Sequence, residues 1–439
     1  MKKQFILFSL LMASLAMAAQ SVNTAKLDSL FQRIDENDQG MGSISIFKAG
    51  QEVYQNTIGF ANIEEEVPAD ALTKYRIGSI SKTFTAVIIL QLIDENLLTL
   101  DTKLNNFFRL LPNADKITIR QLLSHRSGLY NYTDNPEYAQ WCQEPQTREK
   151  MLLRVKEGGT VFEPGEKVEY SNTNYLLLSY IAEEITGQGY DELLKRRIVK
   201  PCGLQNTYFG GTTNSDRNEA FSYARTSHWE QVPETNTSAA MGAGGVVSTP
   251  TDVNRFLNCL FTGTLISDSA RRQMMDIRDG FGLGLFTIPF YERQAYGHTG
   301  GIDGFQSIAA YFPDDEVAIA YTANAVSMSR NDILIGALSI IFDKDYQLPV
   351  FAAAITLPPE ELDIYTGIYS SESFPLKITI SRADSTLMAQ ATGQSAFPLN
   401  ATGEHQFGFV PAGIVIRFNP ETHEMTLMQS GATFILKRE

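Results

Sequence analysis

The 439-residue sequence predicts an α+β domain, antiparallel hairpins on either side of a mostly helical middle, followed by a small all-β, barrel-like domain. Three observations carry this. Two stretches, 42–60 and 305–324, alternate apolar and polar residues about a tight turn, as β-hairpins do. The long middle between them, about 84–270, is mostly helical in its periodicity. Beyond Leu357-Pro358-Pro359-Glu360 the chain breaks into short strand-like runs separated by turn residues. The length suits two domains, and 43% hydrophobic residues suffice for an ordinary core.

The elements read as follows, from the N-terminus. Lys2 and Lys3 precede an apolar run, 5–15, and Ala16-Met17-Ala18 is a small-residue cleavage site. Residues 1–18 therefore read as a secretory signal, too short in its apolar part to be a spanning helix. The expected address is across the inner membrane, periplasmic in a Gram-negative cell. Residues 19–350 form the α+β domain, and 358–439 the β domain. Leu27, Leu30, Phe31 and Ile34 repeat at helical spacing. Residues 42–47 and 52–60 make the first hairpin around Lys48-Ala49-Gly50. Ser248-Thr249-Pro250-Thr251-Asp252 is a helix start, with a hydroxyl cap, a proline and an acid in order. Residues 305–312 and 316–324 make the second hairpin, split by Pro313-Asp314-Asp315, and 331–342 is an apolar helix. In the last domain the runs 376–380, 386–390, 406–410, 414–418, 425–429 and 434–437 predict an antiparallel sheet or barrel.

Net charge is −14, near −16 once Lys2 and Lys3 leave with the signal. An acidic chain without basic runs is a poor ligand for nucleic acid or anionic membranes. The expected partner is a small-molecule or peptide substrate, with no nucleic acid and no membrane span after signal removal. Three cysteines, Cys142, Cys202 and Cys259, permit at most one disulfide and fit free buried thiols better. No CxxC, HExxH or histidine cluster points to a metal, and no phosphate-binding glycine loop is present. No cofactor is expected, and the sequence carries no signal for oligomeric state.

Ser79-Ile80-Ser81-Lys82 opens a very apolar run, 86–93. On a helix, Ser79 and Lys82 share one face a turn apart, so the amine can act as base for the hydroxyl. The same spacing at Ser45 and Lys48 falls in an alternating strand, where residues three apart face opposite sides. Spacing alone is therefore weak, and a capping serine beside a solvated lysine is as good a reading. Tyr170-Ser171-Asn172 follows a turn and precedes a helical run. Tyr170 offers a phenol to share the proton, and Asn172 an amide to orient a carbonyl or the lysine. A buried core tyrosine is the plain alternative, and Tyr54-Gln55-Asn56 repeats the spacing within the first hairpin. Gly297-His298-Thr299-Gly300-Gly301, at the start of the second hairpin, allows close backbone approach. The amides of Gly301 and Ser79 then suit an oxyanion hole, where the plain reading is a glycine-rich turn.

Together, Ser79-Ile80-Ser81-Lys82, Tyr170-Ser171-Asn172 and His298-Thr299-Gly300 resemble the motifs of a known family. It comprises class C serine β-lactamases, D-alanyl-D-alanine carboxypeptidases, D-aminopeptidases and related esterases. The stretches 119–129 and 244–249 are similar to it as well, and the resemblance spans about 25–345. Tyr365-Thr366-Gly367-Ile368-Tyr369 opens a segment similar to the β-barrel appended to some of these hydrolases. The resemblance implies a β-lactamase/transpeptidase-like fold with the site between sheet and helical subdomain. It implies Ser79 as acyl-enzyme nucleophile, Lys82 and Tyr170 as proton carriers, and Asn172, His298, Thr299, Gly300 and Gly301 as substrate-binding residues. The chain departs from the family in one place: β-lactamases and many carboxypeptidases carry lysine where His298 stands. A neutral histidine gives a substrate carboxylate no fixed cation. The implied function is a secreted serine hydrolase of esters or amides, D-amino-acid peptides among them. An acyltransferase, or a penicillin-binding protein with little turnover, would share the acyl-enzyme. His125, in Leu122-Leu123-Ser124-His125, reads as structural.

Overall fold

A computed structural model describes residues 22–351, 357–371, 373–394, 396–409, 414–429 and 432–439. The expected signal lies outside these residues, as does Val410 at the end of one expected strand. Helix α1 (Thr24–Glu36) starts where the Asn23 side chain accepts from the Lys26 amide at 3.1 Å. It buries Leu27, Leu30, Phe31 and Ile34 as one stripe. Strands β1 (Gly40–Lys48) and β2 (Gln51–Ile58) join through Ala49 and Gly50. Both have positive φ, 49° and 74°, which is the turn that matches strand twist. Helix α2 (Ser81–Asp94) is buried on every side from Ser81 to Leu90, as an apolar helix in a core must be. Helix α3 (Asn172–Thr186) stops at Gly187, whose left-handed conformation (φ 65°) caps it. Helix α4 (Pro250–Phe261) starts as expected, with Thr249 Oγ1 accepting from the Asp252 amide at 3.2 Å and Pro250 in the first turn.

Four strands follow: β3 (Phe286–Phe290), β4 (Arg293–Ile302), β5 (Phe305–Phe312) and β6 (Val317–Val326), then helix α5 (Arg330–Ile341). The sheet order is β3-β4-β5-β6-β1-β2, so β1 pairs with β6 and the two hairpins meet at the centre. Alternation divides the sheet's two faces. Ile44, Ile46, Ile308, Phe312 and Ile319 pack under α1 and α5. Phe47, Ala309, Tyr311, Ala318 and Ala320 pack against the helical region built on α2, α3 and α4. One expectation needs correction. Gly297 to Gly301 do not start the second hairpin; they lie on a separate ten-residue strand, β4, preceded by β3. Three glycines weaken the strand signal of β4, and Pro289 weakens that of β3. As an edge strand, β3 tolerates the proline.

The C-terminal domain is a closed eight-stranded barrel. Its strands are β7 (Gly367–Ser371), β8 (Phe374–Ala383), β9 (Thr386–Ala391), β10 (Phe397–Gly403), β11 (Gln406–Phe409), β12 (Ile414–Asn419), β13 (Glu424–Gln429) and β14 (Ala432–Arg438). Each pairs antiparallel with the next, and Tyr369 against Arg438 closes the ring. Six strands match the expected runs; β7 and β10 were missed because glycine and Pro398 dilute their patterns. Cys142 is buried, and Cys202 and Cys259 are half-buried free thiols. Among the described residues no helix is long and apolar enough to cross a membrane.

Candidate active site

Ser79 sits in a 3₁₀ turn, Gly78–Ile80, that leads directly into α2. Gly78 has φ 50° and lies so close to β4 that a Cβ there would meet the Gly301 amide nitrogen at 2.7 Å. On the strand side, a Cβ at Gly300 would meet the Ile77 carbonyl oxygen at 2.1 Å. These two glycines let the turn that carries Ser79 rest backbone-to-backbone on β4. Ser307 Oγ donates to the Ile77 oxygen at 2.8 Å, and Arg330 Nη1 donates to the Gly300 oxygen at 2.8 Å. Gly301 is different: its nearest neighbour for a Cβ is 4.0 Å away, so glycine is not sterically required there.

Helical phase puts Lys82 beneath Ser79, and its Nζ is 2.9 Å from Ser79 Oγ. Nζ also donates to Asn172 Oδ1 and to the Ala243 carbonyl, each at 2.7 Å. The lysine is fully buried with no carboxylate bonded to it, and burial holds its pKa well below the ordinary lysine value. A neutral amine has two donors, for Asn172 and Ala243, and one lone pair, for the Ser79 hydroxyl. Tyr170 OH donates to Ser79 Oγ at 2.7 Å. Burial raises the phenol's pKa, the Ser79 hydrogen bond opposing it in part, so Tyr170 keeps its proton. With the amine uncharged, the serine oxygen lies between a proton acceptor and a proton donor.

Asn172 opens α3, where its Nδ2 donates to Thr133 Oγ1 at 3.1 Å and its backbone amide to Asn131 Oδ1 at 2.9 Å. That contact turns Oδ1 toward the lysine. His125 is buried with φ 56° and its ring stacks on Tyr170 at 4.5 Å. Its Nδ1 accepts from the Ser171 amide at 3.1 Å. The structural reading of His125 thus stands, with the detail that it buttresses the tyrosine. Asn131, Thr133 and the Ala243 carbonyl went unread in the sequence. Only Ala243 had any signal, in a glycine-rich stretch that reads as a turn.

His298 is 3% exposed. Its Nδ1 faces the Thr299 carbonyl, which selects the Nδ1–H tautomer. Burial, with the Lys82 charge adding when the amine is protonated, lowers its pKa to about 3. Phe286 packs on the ring at 4.8 Å. The sequence expectation of an uncharged histidine is therefore met by burial. The pairs with similar spacing elsewhere do not converge in this way. Ser45 Oγ donates to Glu52 at 2.6 Å, and Tyr54 OH to Asp28 at 2.9 Å.

Residues 27–337 match the family model described as Beta-lactamase. The chain is 27% identical over 376 residues to penicillin-binding protein 4* of Bacillus subtilis, covering 78% of this chain and 81% of that protein. The D-amino acid amidase of Ochrobactrum anthropi SV3, solved with D-phenylalanine, superposes with a TM-score of 0.65 at 26% identity, over 73% of this chain and 98% of that one. An octameric penicillin-binding protein homologue from Pyrococcus abyssi shares the fold over 94% of this chain and 100% of its own, with a TM-score of 0.67 at 23% identity. The chain belongs to the Beta-lactamase family and is a serine hydrolase of that family.

Proposed function

We propose that this chain is an exported hydrolase that opens ester or amide bonds through an acyl-enzyme on Ser79, with D-aminoacyl groups as acyl donors. The observation that carries the reading is the single serine oxygen hydrogen-bonded by both Lys82 and Tyr170. Neutral Lys82 takes the Ser79 proton as Oγ bonds to the substrate carbonyl carbon. The proton then passes through Tyr170 to the leaving amine or alcohol as the carbonyl–leaving-group bond breaks. Water adds by the reverse route and frees the acid. The amides of Ser79 and Gly301, on turn and strand, serve the developing oxyanion. Asn172 holds the lysine and faces the acyl group. The likeness to a D-amino acid amidase supports the choice of donor. A neutral His298 provides no fixed cation for a substrate carboxylate, which argues against penicillins as main substrates. Export rests on the Lys2–Ala18 leader pattern.

The test is a panel of D- and L-aminoacyl anilides, short aryl esters, a D-Ala-D-Ala peptide and a chromogenic cephalosporin. Ser79→Ala is the control, with active-site labelling by a fluorophosphonate. D-aminoacyl turnover and labelling that both vanish in the variant are expected. Unchanged labelling of Ser79→Ala would remove Ser79 as nucleophile. Turnover confined to the cephalosporin would reverse the reading of His298.

A further inference from the structure

We propose that the C-terminal barrel is a cup for one medium-length hydrocarbon chain, the tail of a fatty acid or similar amphiphile. This stands apart from the chemistry at Ser79. An eight-stranded barrel is just wide enough either to be filled by its own side chains or to hold one small ligand. Aromatic side chains pack together at one end of this barrel. Tyr365, Phe407 and Phe418 pack there with ring centroids 4.9–5.7 Å apart, and Leu362 is buried among them. Tyr365 OH is tied to His405 Nδ1 at 2.7 Å.

The other end encloses a cavity of about 280 Å³. Its space comes from Ala389 and Ala391 of β9, small residues at inward positions of the strand. Phe374, Phe397 and Phe409 line it and are only half-buried, although they face the interior of a closed barrel. Phe397 and Phe409 stack at 4.6 Å along one wall. No charged residue lines the cavity among the described residues. Most of its lining side chains are aromatic or aliphatic, with Gln394 and Gln429 the polar ones among the described residues, and such walls take apolar guests. The volume lies just below the usual range of drug-sized ligand sites, which suits a single chain. Gln394, exposed at the lining, offers an amide donor to a carboxylate head group outside.

The experiment is calorimetric titration of the full chain with sodium decanoate below its micelle range, in the wild type and in Ser79→Ala. One site per chain in both proteins, with no saturable binding of butyrate, is expected. Ala391→Phe fills the cavity, and Phe409→Asp places a charge in its wall. Each should weaken decanoate at least tenfold while ester turnover is unchanged, and two variants keep the test open if one disturbs the barrel. Absence of saturable binding would overturn the proposal. Binding that both barrel variants leave intact would overturn it too, by placing the amphiphile in the catalytic cleft.

Discussion

Burying a neutral histidine makes the main domain lose stability in acid, and the loss can be worked from His298. In the unfolded chain its pKa is the ordinary value near 6.5; in the folded chain it is about 3. The folded pKa is the lower one, so between these values the unfolded state binds the extra proton. Stability therefore rises with pH through this window, is complete above pH 6.5, and is lost as pH falls toward 3. At pH 5 the unfolded histidine gains about 2 kcal/mol from protonation that the folded one does not, and at pH 7.5 almost nothing. His298→Asn removes this contribution. Lys82 and His125 titrate in both proteins and cancel to first order. The assay is urea unfolding at pH 5.0 and 7.5, followed by tryptophan fluorescence. Both tryptophans, Trp141 and Trp229, lie outside the barrel, so the signal reports the main domain. The gap between wild type and variant should change by about 2 kcal/mol across this pH range, wild type losing more in acid. A change below about 0.5 kcal/mol would mean that the folded site protonates His298 readily, and the argument against a fixed cation would fall with it.

Two further outcomes follow from the geometry. Tyr170→Phe keeps the stack on His125 but removes the hydroxyl 2.7 Å from Ser79 Oγ. It should cut kcat/KM by roughly 100- to 10,000-fold with the melting temperature little changed; a loss under fivefold would take the phenol out of the proton path. Gly300→Ala pushes a methyl to 2.1 Å from the Ile77 oxygen, whereas Gly301→Ala meets nothing nearer than 4.0 Å. The first should lose activity and about 1–3 kcal/mol of stability, while the second stays active and folded. Equal behaviour of the two in turnover and thermal melting would contradict the packing of turn against strand.

Much of the site was legible because its chemistry is written in short local patterns. Ser79 and Lys82 are three residues apart on one helix, and no long-range folding is needed to bring them together. The strand context of Ser45 disqualified the rival pair from sequence alone. The hairpins and α4 were legible for the same reason: alternation, turn residues and caps act within a few positions. Strands β3, β4, β7 and β10 were obscured by glycine and proline, which weaken local preference but are permitted by a sheet edge, a close approach or a barrel seam.

By itself, then, the sequence named the side chains that meet at the candidate site and the order of most of the elements that present them. Tertiary structure alone decided their protonation and support. Lys82 is distant in sequence from Tyr170 and Asn172, and only folding puts it in a dry interior with two other acceptors, 90 and 161 residues away. A pKa is set by burial and by neighbours, neither of which is written at the residue itself. The same holds for His298, whose neutrality comes from being enclosed, and for Gly300, whose necessity comes from a carbonyl more than two hundred residues earlier in the chain.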